Sequence, residues 1–348
     1  MLFARLPRVV FMVGVAALLG LLALPAQAVT IDWVTVGDPG NTADTTTYGA
    51  VADSFQIMKY EFTNQQYTAF LNSVDAGGTN PNSVYDTRMG SNVRGGITNT
   101  GTTNGSRYAV KTNMGDKPVN YVSWFDAARV SNWLVNGATG TSSTETGAYT
   151  LNGATSGDAP AVNPGATFYI PTENQQYKAA YYKGGGTNAG YWNYATQSDT
   201  APTAVTAGST GIGSSGSTGN FANFNSAADW NSQNGNVTTV GTNGGASAYG
   251  AFDMSGNISE LNDLTGAAGS FRGLRGGYWL DGAFDLSSSD SGPAGPSYGD
   301  NSIGFRLASP VASGVPEIDP ATGGSALSLV AGVLALIEQR RRRATLVA

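Results

Sequence analysis

The stretch GAFDMSGNISELNDL, residues 250–264, decides how this chain is read. Phe252, Met254 and Ile258 want burial, yet Asp253 and Glu260 stand among them and bracket a Ser-Gly-Asn turn. Only 12% of the chain is charged, about half the usual ~25%. Acids beside apolar side chains are costly unless something compensates them. The spacing alone fits a hairpin whose acids face solvent as well as a turn whose oxygens converge on a cation. Gly256 and Asn257 permit the tight curl that the second reading needs.

Composition narrows the choice of cation. The 348 residues contain no cysteine and no histidine. Thiol nucleophiles, disulfides, Cys or His sites for zinc, copper or iron, and any Ser-His-Asp arrangement are therefore excluded. A metal site in this chain must be built from oxygens, which points to calcium or magnesium. Sixteen tyrosines and six tryptophans are too many for a disordered chain. A loop-rich globular domain is expected, rich in Gly, Asn, Ser and Thr.

Both ends carry addresses. Residues 1–28 place Arg5 and Arg8 before an apolar run and end on Ala26-Gln27-Ala28, the pattern of a secretory signal peptide with Val29 as the mature start. At the other end, residues 313–325 form a linker containing Pro316-Glu317, and residues 326–348 form an apolar segment followed by Arg340–Arg343. The apolar part is shorter than the ~20 residues that span a bilayer, and the basic cluster should stay on the cytoplasmic side. This tail resembles the PEP-CTERM sorting tails of Gram-negative-type bacteria, with Ile318 in place of the second proline. The resemblance implies export to the cell envelope or beyond, with export and sorting machinery as partners at both termini and a transient or retained membrane association.

Without Arg5, Arg8 and Arg340–Arg343, and without Glu317, Asp319 and Glu338, the domain of residues 29–312 holds 12 basic and 21 acidic residues, a net charge of −9. It offers no footprint for nucleic acid. Three helices announce their starts: Thr63-Asn64-Gln65-Gln66, Ser123-Trp124-Phe125-Asp126 and Thr172-Glu173-Asn174-Gln175, each followed by apolar residues at helical spacing. Phe55–Tyr60 and Phe168–Ile170 read as strands, and 91–106 and 196–220 as long loops. No fixed-period repeat is present.

Five blocks in this order resemble the formylglycine-generating enzyme, or sulfatase-modifying factor, family. They are KYEFTNQQYTAFLNSV (59–74), KPVNYVSWFDAARVSNWL (117–134), YIPTENQQYKAAYYKG (169–184), GAFDMSGNISEL (250–261) and the segment from LRGGYWLDGAFDL (274–286) to DNSIGFRLA (300–308). The resemblance implies an α+β, C-type lectin-like fold, with twisted antiparallel strands, a few short helices and much loop. It also implies calcium in the opening stretch, held by the side chains of Asp253 and Glu260 and the carbonyls of Gly256 and Ile258. Such a shell suits an ion that takes about 6–8 oxygens. A second calcium site maps onto Asn223, the carbonyl of Phe224, Asn234 and the carbonyl of Asn236, with Asn234 where the family has an aspartate and Asp229 nearby.

The departure from the family is as informative. The enzymes it resembles use two cysteines and copper; here Asp281 and Leu286 stand at those places, so formylglycine-generating oxidation is not expected. Two functions remain. One is a surface binding or extracellular-matrix module for a polysaccharide or protein, with Asp281 and the Tyr191, Trp192 and Tyr194 cluster as ligand-binding candidates. That cluster also suits packing beneath Gly-rich loops. The other is an enzyme of altered, cysteine-independent chemistry built on Asp281, Asp285 and Asp290, since paired acids can do glycosidic work. Trp124, Trp133 and Trp279 are expected in the core, and Arg275 and Arg306 are expected to anchor buried structure.

Overall fold

The computed structural model describes residues 29–101 and 106–311. The signal segment, the linker and the sorting tail lie outside them. Among the described residues no helix is long and apolar enough to cross a membrane.

All three expected helices begin at their signals. Helix α1 (Asn64–Val74) is capped by Thr63, whose side chain accepts the Gln66 N–H while Gln66 reaches back to the Thr63 N–H. The short α2 (Arg88–Ser91) follows. Ser123 and Asp126 make the same reciprocal box for α3 (Trp124–Val135), and Thr172 and Gln175 for α4 (Glu173–Tyr181). Each box satisfies two N–H groups that a helix start leaves unpaired, at about 1 kcal/mol per cap. Helix α1 turns Tyr67, Phe70 and Leu71 inward, whereas α3 is buried from Trp124 through Leu134 and crosses the core.

The strands are short. In chain order they are β1 (Trp33–Val36), β2 (Phe55–Met58), β3 (Ile97–Asn99), β4 (Tyr108–Val110), β5 (Thr203–Ala204) and β6 (Phe221–Ala222). There follow β7 (Ser259–Asn262), β8 (Arg272–Arg275), β9 (Gly292–Ala294), β10 (Ile303–Gly304) and β11 (Ala308–Pro310). Strands β1, β2 and β11 form one sheet in that order, and β10, β7, β8 and β9 form another. Within the second sheet β7 pairs parallel to β10, with Gly304 opposite Glu260, and antiparallel to β8, with Arg275 opposite Glu260. Strand β7 is thus buried along its whole length, and the acid of the opening stretch sits between two neighbours.

Some expectations need correction. The strand expected at 55–60 ends at Met58, and 168–170 makes only a bridge from Tyr169 to Ala308 on the edge of β11 away from β2, the Ile170 N–H going to the Tyr149 hydroxyl instead of a strand. The two long loops are not structureless: they hold β3 and β5. The main core gathers Phe62, Tyr67, Phe70, Trp124, Trp133, Tyr149 and Phe305, and a second gathers Ile57, Tyr177, Tyr181 and Met254. Trp124, Trp133 and Trp279 are all buried, as expected.

Candidate functional site

The turn after β6 and before β7 curls as its sequence requires. Asp253, Gly256 and Asn257 all adopt positive φ, at 57°, 89° and 67°. A Cβ on Gly256 would meet the carbonyl oxygen of Asn223 at 2.5 Å, so only glycine fits there. Asn257 is fully buried and acts as a hub. Its Nδ2 donates to Glu61 Oε1 at 2.9 Å, and its Oδ1 accepts from the Thr238 N–H at 2.8 Å and from Asn223 Nδ2 at 3.1 Å.

The acids around this hub are buried, so the hairpin with solvent-facing carboxylates is ruled out. Glu260 is 1% exposed and Asp253 9%. Arg306 grips Glu260 with two nitrogens, and Gln176 donates to the same carboxylate at 3.1 Å. The guanidinium also reaches the carbonyls of Met58 and Phe252. Asp253 accepts from the Gly241 N–H at 2.5 Å and from Asn243 Nδ2 at 2.9 Å. Glu61 is fully buried, and its Oε2 has no hydrogen-bond partner. Burial, then the charge of Asp253, holds the Glu61 carboxyl well above the usual carboxylate range.

These facts bear on a cation in two ways. Three buried carboxylates face one guanidinium, and an orphaned carboxylate oxygen lies among them, so the charge of the cluster suits a bound cation. The arrangement restricts how one is held. Both oxygens of Glu260 already serve Arg306, and among the described residues no three acidic side chains converge into a metal site by themselves. Backbone carbonyls such as those of Gly256 and Ile258 would have to complete the shell.

The second set is only partly brought together. Asn223 is buried and donates to the Asn236 carbonyl at 2.8 Å, while its own Oδ1 has no partner. Asn234 is exposed, with its carbonyl held by Arg94, and Asp229 caps the Gly235 N–H. The carbonyl of Phe224 accepts the Ala227 N–H at 3.3 Å.

On the last block, Asp281 is half-buried and its Oδ2 accepts the Tyr278 N–H at 3.0 Å. Burial, then the negative charges of Asp285 and Asp290, push its carboxyl up to about 6. Leu286 is fully buried beside Ala222 and Phe224 and cannot reach solvent. Leu280 and Phe284, by contrast, are 51% and 67% exposed. The aromatic cluster at 191–194 packs: Tyr191 lies against Tyr177 and Tyr182 and donates to the Thr42 carbonyl, Trp192 lies under Lys183, and Tyr194 rests on the Ala222–Phe224–Leu286 cluster. Arg275 pairs with Glu173 at 2.8 Å and stacks on Tyr48 and Tyr177, an anchor as expected.

Glu61 escapes a reading by spacing, since no second acid stands near it in sequence. The signal for Glu61 is present all the same: it is one acid inside the apolar block KYEFTNQQY, the same anomaly that the opening stretch shows twice.

The comparisons with known proteins agree with this architecture. A family described as the Sulfatase-modifying factor enzyme 1-like domain matches residues 33–311. The chain belongs to this family. Its C-terminal residues 315–345 match the VPEID-CTERM protein sorting domain, so Ile318 is part of a sorting motif rather than a flaw in one. A sorting domain of this kind marks an exported protein associated with the cell envelope and handled by sorting machinery. No curated protein matches the chain. Similar solved structures include CarF, 23% identical over 81% of this chain and 99% of that one, with a TM-score of 0.48. Treponema denticola variable protein 1 is 19% identical over 83% of this chain and 98% of its own, with a TM-score of 0.48. PvdO from Pseudomonas aeruginosa is 19% identical over 81% and 92%, with a TM-score of 0.40. None of the three bears on ligand or activity here.

Proposed function

We propose that this sulfatase-modifying-factor domain is a non-catalytic, calcium-stabilised binding module, displayed at the cell surface after removal of residues 1–28. The observation that carries the reading is the last block. Where the enzymes of the family place thiols, this chain has Asp281 and a buried Leu286, and it exposes Leu280 and Phe284 on either side of Asp281. These two side chains leave apolar surface uncovered on that segment, which a bound partner would take out of water. The partner class is an extracellular polymer, a polysaccharide or a matrix protein. Calcium at Asp253, with the carbonyls of Gly256 and Ile258 and a share of Glu260, would offset the surplus of buried carboxylate and stiffen the base beneath this face.

The test uses the full chain and purified surface polysaccharide and matrix protein from the source cells. Intact protein should bind one of them, and Phe284→Ser and Leu280→Ser should weaken that binding at least tenfold with an unchanged melting temperature. Binding that ignores both substitutions sinks the proposal. The raised Asp281 carboxyl favours a second reading, a carboxylate-based enzyme. That reading requires turnover of a glycoside that Asp281→Asn abolishes, whereas a binder keeps its ligand in that variant.

A further inference from the structure

The face of Leu280 and Phe284 extends beyond its own loop, and it is charged. Both residues lie between β8 and β9, whereas Tyr298, 53% exposed, lies between β9 and β10. The two loops meet at Tyr278. Burial, then the charges of Asp281, Asp300 and Asp285, raise its hydroxyl, so carboxylates from both loops surround one ring. The Tyr298 hydroxyl donates to Asp300 Oδ2 at 2.8 Å. Asp290 is raised by burial and then by Asp285.

No base offsets these acids. Among the described residues none of Asp281, Asp285, Asp290 and Asp300 has an ion-pair partner. Arg275 reaches the Asp290 backbone carbonyl at 2.8 Å, but it is buried and its charge is paired with Glu173. Arg88, whose charge reaches Asp300, is held by Asp86 at 2.6 Å. Like charges left side by side favour a partner that brings the opposite sign.

The combination selects that partner, and the selection rests on the reading of this face as a binding face. A metal ion does not suit it, since among the described residues no three acidic side chains converge on a metal site and an ion would leave Leu280 and Phe284 in water. A second copy of the chain brings the same acids. Anionic polysaccharide is repelled by them, and a neutral polysaccharide leaves them unpaired. A segment with Lys or Arg beside large apolar side chains meets both demands. Its charges reach the carboxylates or lie over the rings of Tyr278, Phe284 and Tyr298, while its aliphatic stems cover the apolar surface. We propose that the partner of this face is a basic, apolar-bearing segment of another protein.

Fluorescence anisotropy on the full chain tests this, with a labelled synthetic peptide of alternating lysine and leucine as probe and its glutamate–leucine counterpart as control. The lysine peptide should bind and the glutamate peptide should not. Binding should weaken between about 0.1 and 1 M salt, where the Debye length falls from about 10 to 3 Å. The triple variant Asp281→Asn, Asp285→Asn, Asp290→Asn keeps the oxygens that accept the Tyr278 and Gly282 N–H groups. It should weaken binding at least tenfold and melt no lower than the intact protein. Asp281→Asn alone removes one charge of four and leaves binding measurable. The triple Asp53→Asn, Asp116→Asn, Asp158→Asn removes as much charge from exposed acids of other segments and should change nothing. Equal losses in the two triple variants would mean attraction to net charge alone and overturn the proposal. So would binding that appears only once Arg340→Ala, Arg341→Ala, Arg342→Ala and Arg343→Ala are introduced, which would seat the chain's own tail on the face. Loss in Phe284→Ser with none in the first triple variant would leave the binding face standing and remove its charge selection. Binding that ignores Phe284→Ser as well would remove the face itself.

Discussion

Arg306 holds Glu260 by two parallel bonds, Nε to Oε2 at 2.7 Å and Nη2 to Oε1 at 2.5 Å, with both side chains out of solvent. This pair joins strand β7 to the chain just after β10, and it neutralises the acid that the opening stretch places among apolar residues. Removing one partner leaves the other charge buried and alone. Glu260→Ala and Arg306→Ala should each cost about 3–5 kcal/mol. The double variant Glu260→Ala with Arg306→Ala should cost less than the sum of the two single changes. Urea unfolding of the four proteins measures the cycle; single losses under about 1 kcal/mol would show the pair to be incidental.

Calcium should raise the melting temperature. An ion that binds only the folded chain adds RT ln(1 + [Ca]/Kd), about 2.7 kcal/mol at a hundredfold excess. The rise should vanish with chelator and in Asp253→Ala. An unchanged melt in the intact protein would remove the ion from the reading while leaving the binding face untouched.

Gly256→Ala should destabilise the domain by about 2–4 kcal/mol, because it combines a positive φ with a clash. The clash is with the backbone oxygen of Asn223, which has no flexible side chain to move aside. The same substitution at Gly295, where nothing lies within 4 Å, serves as the control.

The domain should be more stable in mild acid than at neutral pH. Burial raises the carboxyls of Asp126 and Asp263 from 3.8 to about 6, in Asp263 against the pull of Arg272 at 2.7 Å. The folded state then binds the proton more tightly than the unfolded one. Their contribution is fully present below pH ~4 and is lost as pH rises through about 6. The loss is on the order of 3 kcal/mol for each group. Asp86, Glu145 and Asp300, lowered by hydrogen bonds that outweigh their burial, give the opposite slope at lower pH. Stability should therefore peak in between, and Asp126→Asn should flatten the alkaline side of a denaturation series run from pH 4 to 8.

Local chemistry was legible where a single short segment contains all of it. The three capping boxes fix helix starts within four residues each, and each helix begins there. The burial of Asp253 and Glu260 was legible as an anomaly, and so was the anchoring role of Arg306. The identity of the partner was not, because Arg306 lies 46 residues from Glu260 and only the parallel pairing of β10 with β7 brings them together. Glu61 is more distant still, 196 residues from the Asn257 amide that it accepts from. Short strands fared worst: Phe168–Ile170 has the composition of a strand, but only Tyr169 pairs, with Ala308, and the Ile170 N–H is spent on the Tyr149 hydroxyl.

The sheet of β1, β2 and β11 sets an order of events. Its middle strand is complete at Met58, yet the strand that covers its second edge begins at Ala308, only seven residues before the sorting motif at 315. Pairings so distant in sequence form slowly. Until the last residues of the domain arrive, the β2 edge stays open to other chains. Closure of the sheet and delivery of the sorting signal are thus nearly simultaneous, and a chain truncated before 308 would reach the envelope with a sticky edge and no address.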